Sequence, residues 1–283
     1  MRPRAVQREE IGQLLRYDRR MTASAVPEPV LNAVVSHRED LTDRLAIVRV
    51  EPRGWALPPF EPGQWATLGL PDPEGAGRFL KRVYSIASAP GLPYLEFYIQ
   101  LVKEGEFTTR LWHLHEGDPL WVAPNIAGFF TCEPVPAGCD VALIATGTGL
   151  APFVSMLRHA ERTGSRPWRR CVVAHGARNV AELGYRDELT ALAAQGNGLV
   201  YVPLVTREPP DGGWTGRRGR VQALFEGDTW ARVVGAPLDP TCWHVFLCGN
   251  PEMIDDLDQR LKARGFNHHR RTAPGNLHFE RYW

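Results

Sequence analysis

The chain reads as two folds in series, an N-terminal antiparallel β-barrel followed by an α/β domain with a doubly wound parallel sheet. Three observations predict this. Residues 30–134 carry short β-rich runs (LNAVVS, LAIVRV, QWATLGL, RVYSIA, YLEFYIQLV, PLWVA) separated by proline and glycine, the spacing of a small barrel. Beyond Pro134 the apolar runs VALIA, CVVAH, LVYVPLV and HVFLC alternate with helical stretches at 186–195 and 251–264, which predicts parallel strands with ligands at their carboxyl ends. The run VALIATGTGLAPFVSML at 141–157 is a buried strand, a glycine turn and a helix opening without interruption.

Composition bounds the function. At 283 residues the chain is long enough for two domains and a substantial core. Its formal net charge of +1 argues against a general nucleic-acid binder. Only Lys81, Lys103 and Lys262 among the 33 basic residues are lysines, so arginine is the default cation and a lone arginine carries little information. The five cysteines, Cys132, Cys139, Cys171, Cys242 and Cys248, have no metal-ligand spacing, which favours reduced thiols in a cytoplasmic protein over disulfides, an iron–sulfur cluster or another metal site. No run approaches the length of a membrane span, and the N-terminus lacks the apolar core of a secretory signal.

In chain order, residues 1–29 are arginine-rich, end in MTASAVPEP, and read as a flexible extension outside the fold, with Met21 as an alternative start. Residues 30–134 form the barrel and 135–283 the α/β domain. On the barrel strand RVYSI, alternation places Arg82 and Tyr84 on one face and Val83 and Ser85 on the other, although a twisted strand end can present both. Gly105, Glu106, Phe107, Thr108 and Thr109 then open a short amphipathic helix with Leu111 and Leu114 inward. Such a start is either an anion-binding terminus or an ordinary cap. In the 141–157 run, Gly147 and Gly149 permit a tight turn and leave no side chain between the backbone and a bound phosphate. TGTG is not the six-residue dinucleotide fingerprint, and glycine turns between strand and helix also occur for structural reasons.

The order of these pieces is more specific than any one of them. RVYS, GEFTTRLWHLHEGD, AGFF at 127–130, ATGTGLAPFVSML, TGR at 215–217, CGNPEMI at 248–254 and the closing Tyr282 and Trp283 together resemble the ferredoxin/flavodoxin–NADP reductase family, in its short bacterial branch. The resemblance runs from about residue 30 to the end. It implies FAD on the barrel, with Arg82 near the pyrophosphate and Val83, Tyr84 and Ser85 against the flavin ring. Tyr98, Ile99, Gln100, Glu106, Phe107 and Thr108 hold the rest of that cofactor, Thr148 stands between the two nucleotides, and Tyr282 and Trp283 stack on FAD. For NADP it implies Thr148, Gly149, Ala177, Arg178, Thr206, Arg207, Arg217, Gly249, Asn250 and Met253. Ser85, Cys248 and Glu280 are the catalytic candidates, as groups that orient the rings rather than as acid, base or nucleophile, because a flavin takes up a hydride without obligatory proton transfer.

The implied function is an FAD enzyme, acting as a monomer, that moves electrons between NADPH and ferredoxin or flavodoxin. A reductase component of an oxygenase or a free-flavin reductase is the alternative on the same fold, and a nucleotide-binding module without catalysis is a third reading. Arg178, Arg207 and Arg217 follow strand-like runs and predict NADPH over NADH, since a guanidinium fork suits a 2′-phosphate. His268, His269, Arg270 and Arg271, with Arg260 and Arg264 before them, form either a basic docking face for an acidic carrier or a solvated surface.

Overall fold

The structure is a computed structural model that describes residues 31–72 and 79–281. Six antiparallel strands build the first unit: β1 (Ala33–Thr42), β2 (Leu45–Pro52), β3 (Trp65–Pro71), β4 (Phe79–Ser85), β5 (Leu95–Gln100) and β6 (Pro119–Val122), in the order β4-β3-β6-β1-β2-β5. An antiparallel bridge between Ile86 and Phe97 joins the two edges and closes the sheet into a barrel. Alternation explains its core. Leu95, Phe97 and Ile99 of β5 point inward with Val35, Val48, Leu68 and Val122, while Glu96, Tyr98 and Gln100 fall on the outer face. Helix α1 (Glu106–Leu111) plugs one end of the barrel with Phe107 and Leu111, each 1% exposed. The helix stops at Leu111, and Leu114 packs on the barrel core from the turn that follows.

The second unit is a six-stranded sheet, all parallel, of β7 (Asp140–Thr146), β8 (Cys171–Ala177), β9 (Leu199–Val205), β10 (Arg217–Arg218), β11 (Trp243–Cys248) and β12 (Leu277–Glu280). Their order is β10-β9-β8-β7-β11-β12, so the direction of winding reverses between β7 and β11. Both faces are covered, which is why these strands read as continuous apolar runs. One face packs on α2 (Ala151–Thr163) and α3 (Arg186–Ala194), the other on α4 (Thr229–Val234), α5 (Pro251–Lys262) and a 3₁₀ turn, Val221–Phe225. The α2 face continues into the barrel through Leu45, Ile47, Ala87, Tyr98 and Phe130, so the two units share one apolar cluster. Phe130 meets Phe153 and Phe246 at centroid distances of 5.7 and 5.5 Å.

An ionic network lies beside that cluster. Glu96, 1% exposed, accepts from Arg49 Nε at 2.8 Å, from Arg158 at 2.5 Å and from the Tyr185 hydroxyl at 3.0 Å, and Arg158 forks onto Glu188 at 2.7 and 2.8 Å. Burial pushes the Glu96 carboxyl up, but the Arg158 charge and the hydrogen bonds from Arg49, Arg158 and Tyr185 outweigh it and hold the group below the usual carboxylate range. All five cysteines are free. The extension at 1–29, the expected Met21 start, Tyr282 and Trp283 lie outside the described residues.

Two buried histidines set the acid limit of the fold. Burial pushes His175 down to about 3. Burial, with the neighbouring His244 and His269, does the same to His278, whose ring stacks on Phe246 at 4.1 Å. The unfolded chain takes up these protons near the ordinary value of 6.5 and the native fold does not, so stability is complete above 6.5 and falls as pH drops toward 3. Urea midpoints measured from pH 7.5 to 4.5 should therefore decline, and His278→Gln should flatten the decline. A midpoint constant down to pH 5 would contradict neutral burial of both rings.

Candidate functional site

Strand β7 delivers the chain to the point where the sheet reverses. There the expected tight glycine turn is a 3₁₀ turn, Gly147–Leu150, and α2 starts at Ala151 with a proline in its first turn. From the other side β11 delivers Cys248, Gly249 and Asn250. The two ends touch. The Asn250 amide donates to Thr146 Oγ1 at 2.8 Å, while Asn250 Oδ1 caps α5 by accepting from the Glu252 and Met253 amides at 2.7 and 3.3 Å.

The two glycines at this crossing are required for different reasons. A Cβ on Gly149 would stand 2.4 Å from the Cys248 carbonyl oxygen and 2.6 Å from the Gly249 amide nitrogen. One on Gly249, at φ +129°, would stand 2.3 Å from Thr146 Oγ1. Gly149 thus makes room for a second backbone segment, a role the sequence did not suggest, and it also borders the cavity described next. Gly147, at φ +54°, is the glycine with open space beside it, its nearest neighbour there being Gln100 Oε1 at 3.9 Å.

A cavity of about 850 Å³ lies between this crossing and the barrel. From the barrel come Arg82, Val83, Tyr84 and Ser85, so the strand end does present both faces, together with Tyr98, Gln100, Phe107 and Thr108. The α/β unit contributes Thr148 and Gly149, Ala177 and Arg178, Thr206 and Arg207, and Gly249, Asn250 and Met253. Tyr84 is held edge-on to Phe97 at 6.3 Å and tilted on Phe107 at 5.9 Å, and burial pushes its phenol up, so it stays protonated. Ser85 Oγ is buried on the cavity wall and has no hydrogen-bond partner among the described residues. An orphaned buried hydroxyl costs about 1–3 kcal/mol and implies a bound polar partner.

Several expected residues fall elsewhere. Ile99 has its side chain in the barrel core, and Glu106 is exposed beyond the cavity wall. Thr108 lines the cavity, but its hydroxyl is engaged by the Val102 amide and carbonyl at 3.1 and 3.0 Å. Thr109 bonds back to the Gly105 carbonyl at 2.8 Å, so these hydroxyls tie the helix start to its own loop. Cys248 is fully buried behind the wall, directly opposite Glu280 in the β11–β12 register. Arg217 lies on β10, paired with Leu204, and does not line the cavity; Arg220 does. The reason is anchoring, since Arg220 abuts Val221, Leu224 and Phe225, whose burial pins the 3₁₀ turn to the sheet. That apolar run after the last arginine of TGRRGR is the signal that singles out Arg220. Thr146, Glu182 and Gln222 also belong to the wall and were not foreseen. Of the expected basic face, His268 is paired with Asp258, Arg260 with Asp256 and Glu226, Arg264 donates to the Phe225 carbonyl, and His269 packs on His278 with its ring nitrogen against the Gly275 backbone, which leaves Arg270 and Arg271.

The comparisons with known proteins agree with this geometry. Residues 143–259 match the family model of the oxidoreductase NAD-binding domain. The flavodoxin/ferredoxin–NADP reductase of Escherichia coli (strain K12) is 35% identical over 227 residues, 80% of this chain and 88% of that protein. The chain belongs to the ferredoxin/flavodoxin–NADP reductase family. Among solved structures, a ferredoxin NADP+ reductase from Neisseria gonorrhoeae with bound FAD and NADP is similar at a TM-score of 0.78 and 27% identity, over 88% of this chain and 97% of that one. A cytochrome P450 reductase from Amycolatopsis is similar at 0.70 and 27%, over 89% of this chain but 69% of that one. For a ferredoxin/flavodoxin–NADP reductase the wall fits its two nucleotides: an aromatic ring already packed, an orphaned hydroxyl, open space at Gly147, and Arg207 and Arg220 free of ion pairs among the described residues. Within the described residues, no helix is long and apolar enough to cross a membrane and no cluster of side chains is placed to hold a metal ion.

Gly149→Ala tests the crossing, because the Cys248–Gly249 peptide obstructs the new methyl and φ plays no part. The variant should lose about 1–3 kcal/mol of stability by urea titration, as expected of overpacking, and should purify with less bound nucleotide. Gly54→Ala, at φ +78° with no atom within 4 Å, is the control for strain without crowding.

Proposed function

We propose that this chain is an FAD-dependent reductase, cytoplasmic and monomeric, that transfers electrons between NADPH and a ferredoxin or flavodoxin. The observation that carries the reading is the single cavity shared by the Arg82–Ser85 strand end of the barrel and the switch point of the parallel sheet. When bound, the flavin takes a hydride from the nicotinamide and passes its electrons on singly. The protein's task is to hold two planar rings in contact and exclude water. Tyr84, fixed by Phe97 and Phe107, supplies an apolar platform, and Ser85 supplies a buried hydroxyl for a ring heteroatom. Thr148 and Gly149 close the floor between the rings, and the Cys248–Glu280 pair of neighbouring strands backs the nicotinamide end. Arg178, Arg207 and Arg220 line the end where a 2′-phosphate is favoured.

The carrier docks, in this reading, on the patch around Phe129. That ring is 78% exposed, with the Arg271 guanidinium 5.5 Å from its centre. Through Ala127 its segment pairs with Trp65, which pairs in turn with Ser85, so Ala127 lies about two strand spacings, roughly 10 Å, from Ser85 on the flavin wall. An exposed aromatic flanked by an arginine with no ion pair among the described residues suits an acidic protein. The oxygenase-component reading is weaker, because the P450 reductase is 27% identical whereas the curated reductases of ferredoxin and flavodoxin reach 34–35%.

The purified protein should be yellow, should release FAD and not FMN on heating, and should bleach with NADPH. A colourless protein or FMN alone would overturn the reading. NADPH should be strongly preferred over NADH. Arg207→Ala or Arg220→Ala should each raise the KM for NADPH about ten- to a hundredfold, the loss of one charge-assisted bond of roughly 1.5–3 kcal/mol, with NADH use nearly unchanged. Arg217→Ala, outside the wall, should be close to silent. Turnover with a carrier protein should fall with added salt and in Arg271→Glu, while turnover with an uncharged dye should not. Equal salt dependence would remove the docking patch.

A further inference from the structure

The wall that carries Arg178 and Glu182 is the loop between β8 and α3, residues 178–185, and much of its support comes from the barrel. Its near end is held within its own unit: the Val180 amide donates to Glu208 Oε2 at 2.7 Å, and Arg178 is paired with Glu182 at 3.1 Å. Farther along, the loop leans on β5. The Tyr98 hydroxyl donates to the Glu182 carbonyl at 3.0 Å and accepts from the Gly184 amide at 3.1 Å, an approach so close that a Cβ at residue 184 would stand 2.5 Å from it. Tyr185 then adopts φ +60°, the only positive φ outside glycine among the described residues. Such a backbone persists only where its surroundings impose it. Here the Tyr185 ring packs at 5.3 Å on Tyr98, lies 5.1 Å from the Arg158 guanidinium, and sends its hydroxyl to Glu96.

Behind the loop, on the side away from the nucleotide cavity, is a second cavity of about 490 Å³, bounded by Val180, Leu183, Tyr185, Arg49, Glu96 and Arg158. The loop therefore borders both cavities, and polar anchors act together with the packing of Leu183 and Tyr185 to fix where Arg178 and Glu182 stand.

We propose that Glu96 of the barrel, which does not line the nucleotide cavity, is a positioning residue for NADPH: through Tyr185 and Arg158 it fixes the loop that presents Arg178 and Glu182. The inference rests on the reading that this end of the cavity takes the phosphate-bearing half of NADPH. It assigns to the flavin-side unit a share in choosing the nicotinamide nucleotide, although none of its atoms need touch it.

The test uses the holoenzyme and two variants, Glu96→Gln, which keeps an acceptor for Tyr185 but removes the charge between Arg49 and Arg158, and Tyr185→Phe, which deletes one hydroxyl. In both, the KM for NADPH should rise about three- to tenfold, the range for losing one or two buried hydrogen bonds. The KM for NADH, kcat at saturation and the flavin absorbance spectrum should stay as in the parent. Two results would overturn the proposal: an NADPH KM unchanged in Tyr185→Phe, or a parallel rise of both KM values with loss of FAD, which would make Glu96 a clamp between units and nothing more. Should Glu96→Gln fail to fold, Tyr185→Phe decides alone. Failure of the underlying reading is distinguishable, because then the parent itself would not prefer NADPH and Arg207→Ala would be silent.

Discussion

Two backbone segments cross in van der Waals contact where β7 and β11 end, and the site is built on that crossing. Parallel strands leave their carboxyl ends side by side, and reversal of the winding sends the following connections to opposite faces. At most such places a crevice opens. Here Gly149 and Gly249 let the crevice floor close until Thr146 bonds the Asn250 amide, so the 3₁₀ turn and α5 are fixed relative to each other before any ligand arrives. The floor is tight because main chain meets main chain at Gly149, with the short Thr146 hydroxyl as a side-chain link across it.

The barrel supplies the opposite wall, and its position follows from a shared core and a buried ionic network. Phe130 joins the two units by aromatic contact, and Glu96 sits between two arginines, one from each unit. Buried ion pairs contribute little net stability, because desolvation offsets the attraction. Their value lies in geometry: a carboxylate with three donors aimed at it tolerates few arrangements of the elements that carry them.

Most of the architecture was legible in the sequence, because apolar periodicity states which faces are covered. The runs around Val48, Leu68 and Phe97 announced a barrel, and those around Leu143 and Val173 announced a parallel sheet. Periodicity does not say what covers a face. Glu96, Tyr98 and Gln100 share the outer side of β5, a pattern indistinguishable from a solvated strand, and only the packing of α2 and the residue 178–185 loop buries Glu96. Arginines were hard to rank for a similar reason. Arg217 and Arg220 differ by one turn of chain, and the neighbouring apolar anchors, not the arginines themselves, decide which meets the cavity. Glycines were located correctly but not always explained, since a missing side chain serves a ligand and a crossing backbone alike.

The strand order also sets a timetable for synthesis. Every barrel strand lies between residues 33 and 122, so the strand pairing of the flavin-side unit can be complete before the parallel sheet begins. The sheet itself is completed late. β11 pairs with β7 across about a hundred residues, and β12, whose Leu277 completes the core on its outer flank, is made later still. A ribosome emits amino-terminal segments first, and domains fold as units during that emission. The barrel's strands thus wait for a sheet that is complete only once β12 has been made, and a chain truncated before β12 would carry every wall residue of the nucleotide cavity on a sheet with its flank uncovered.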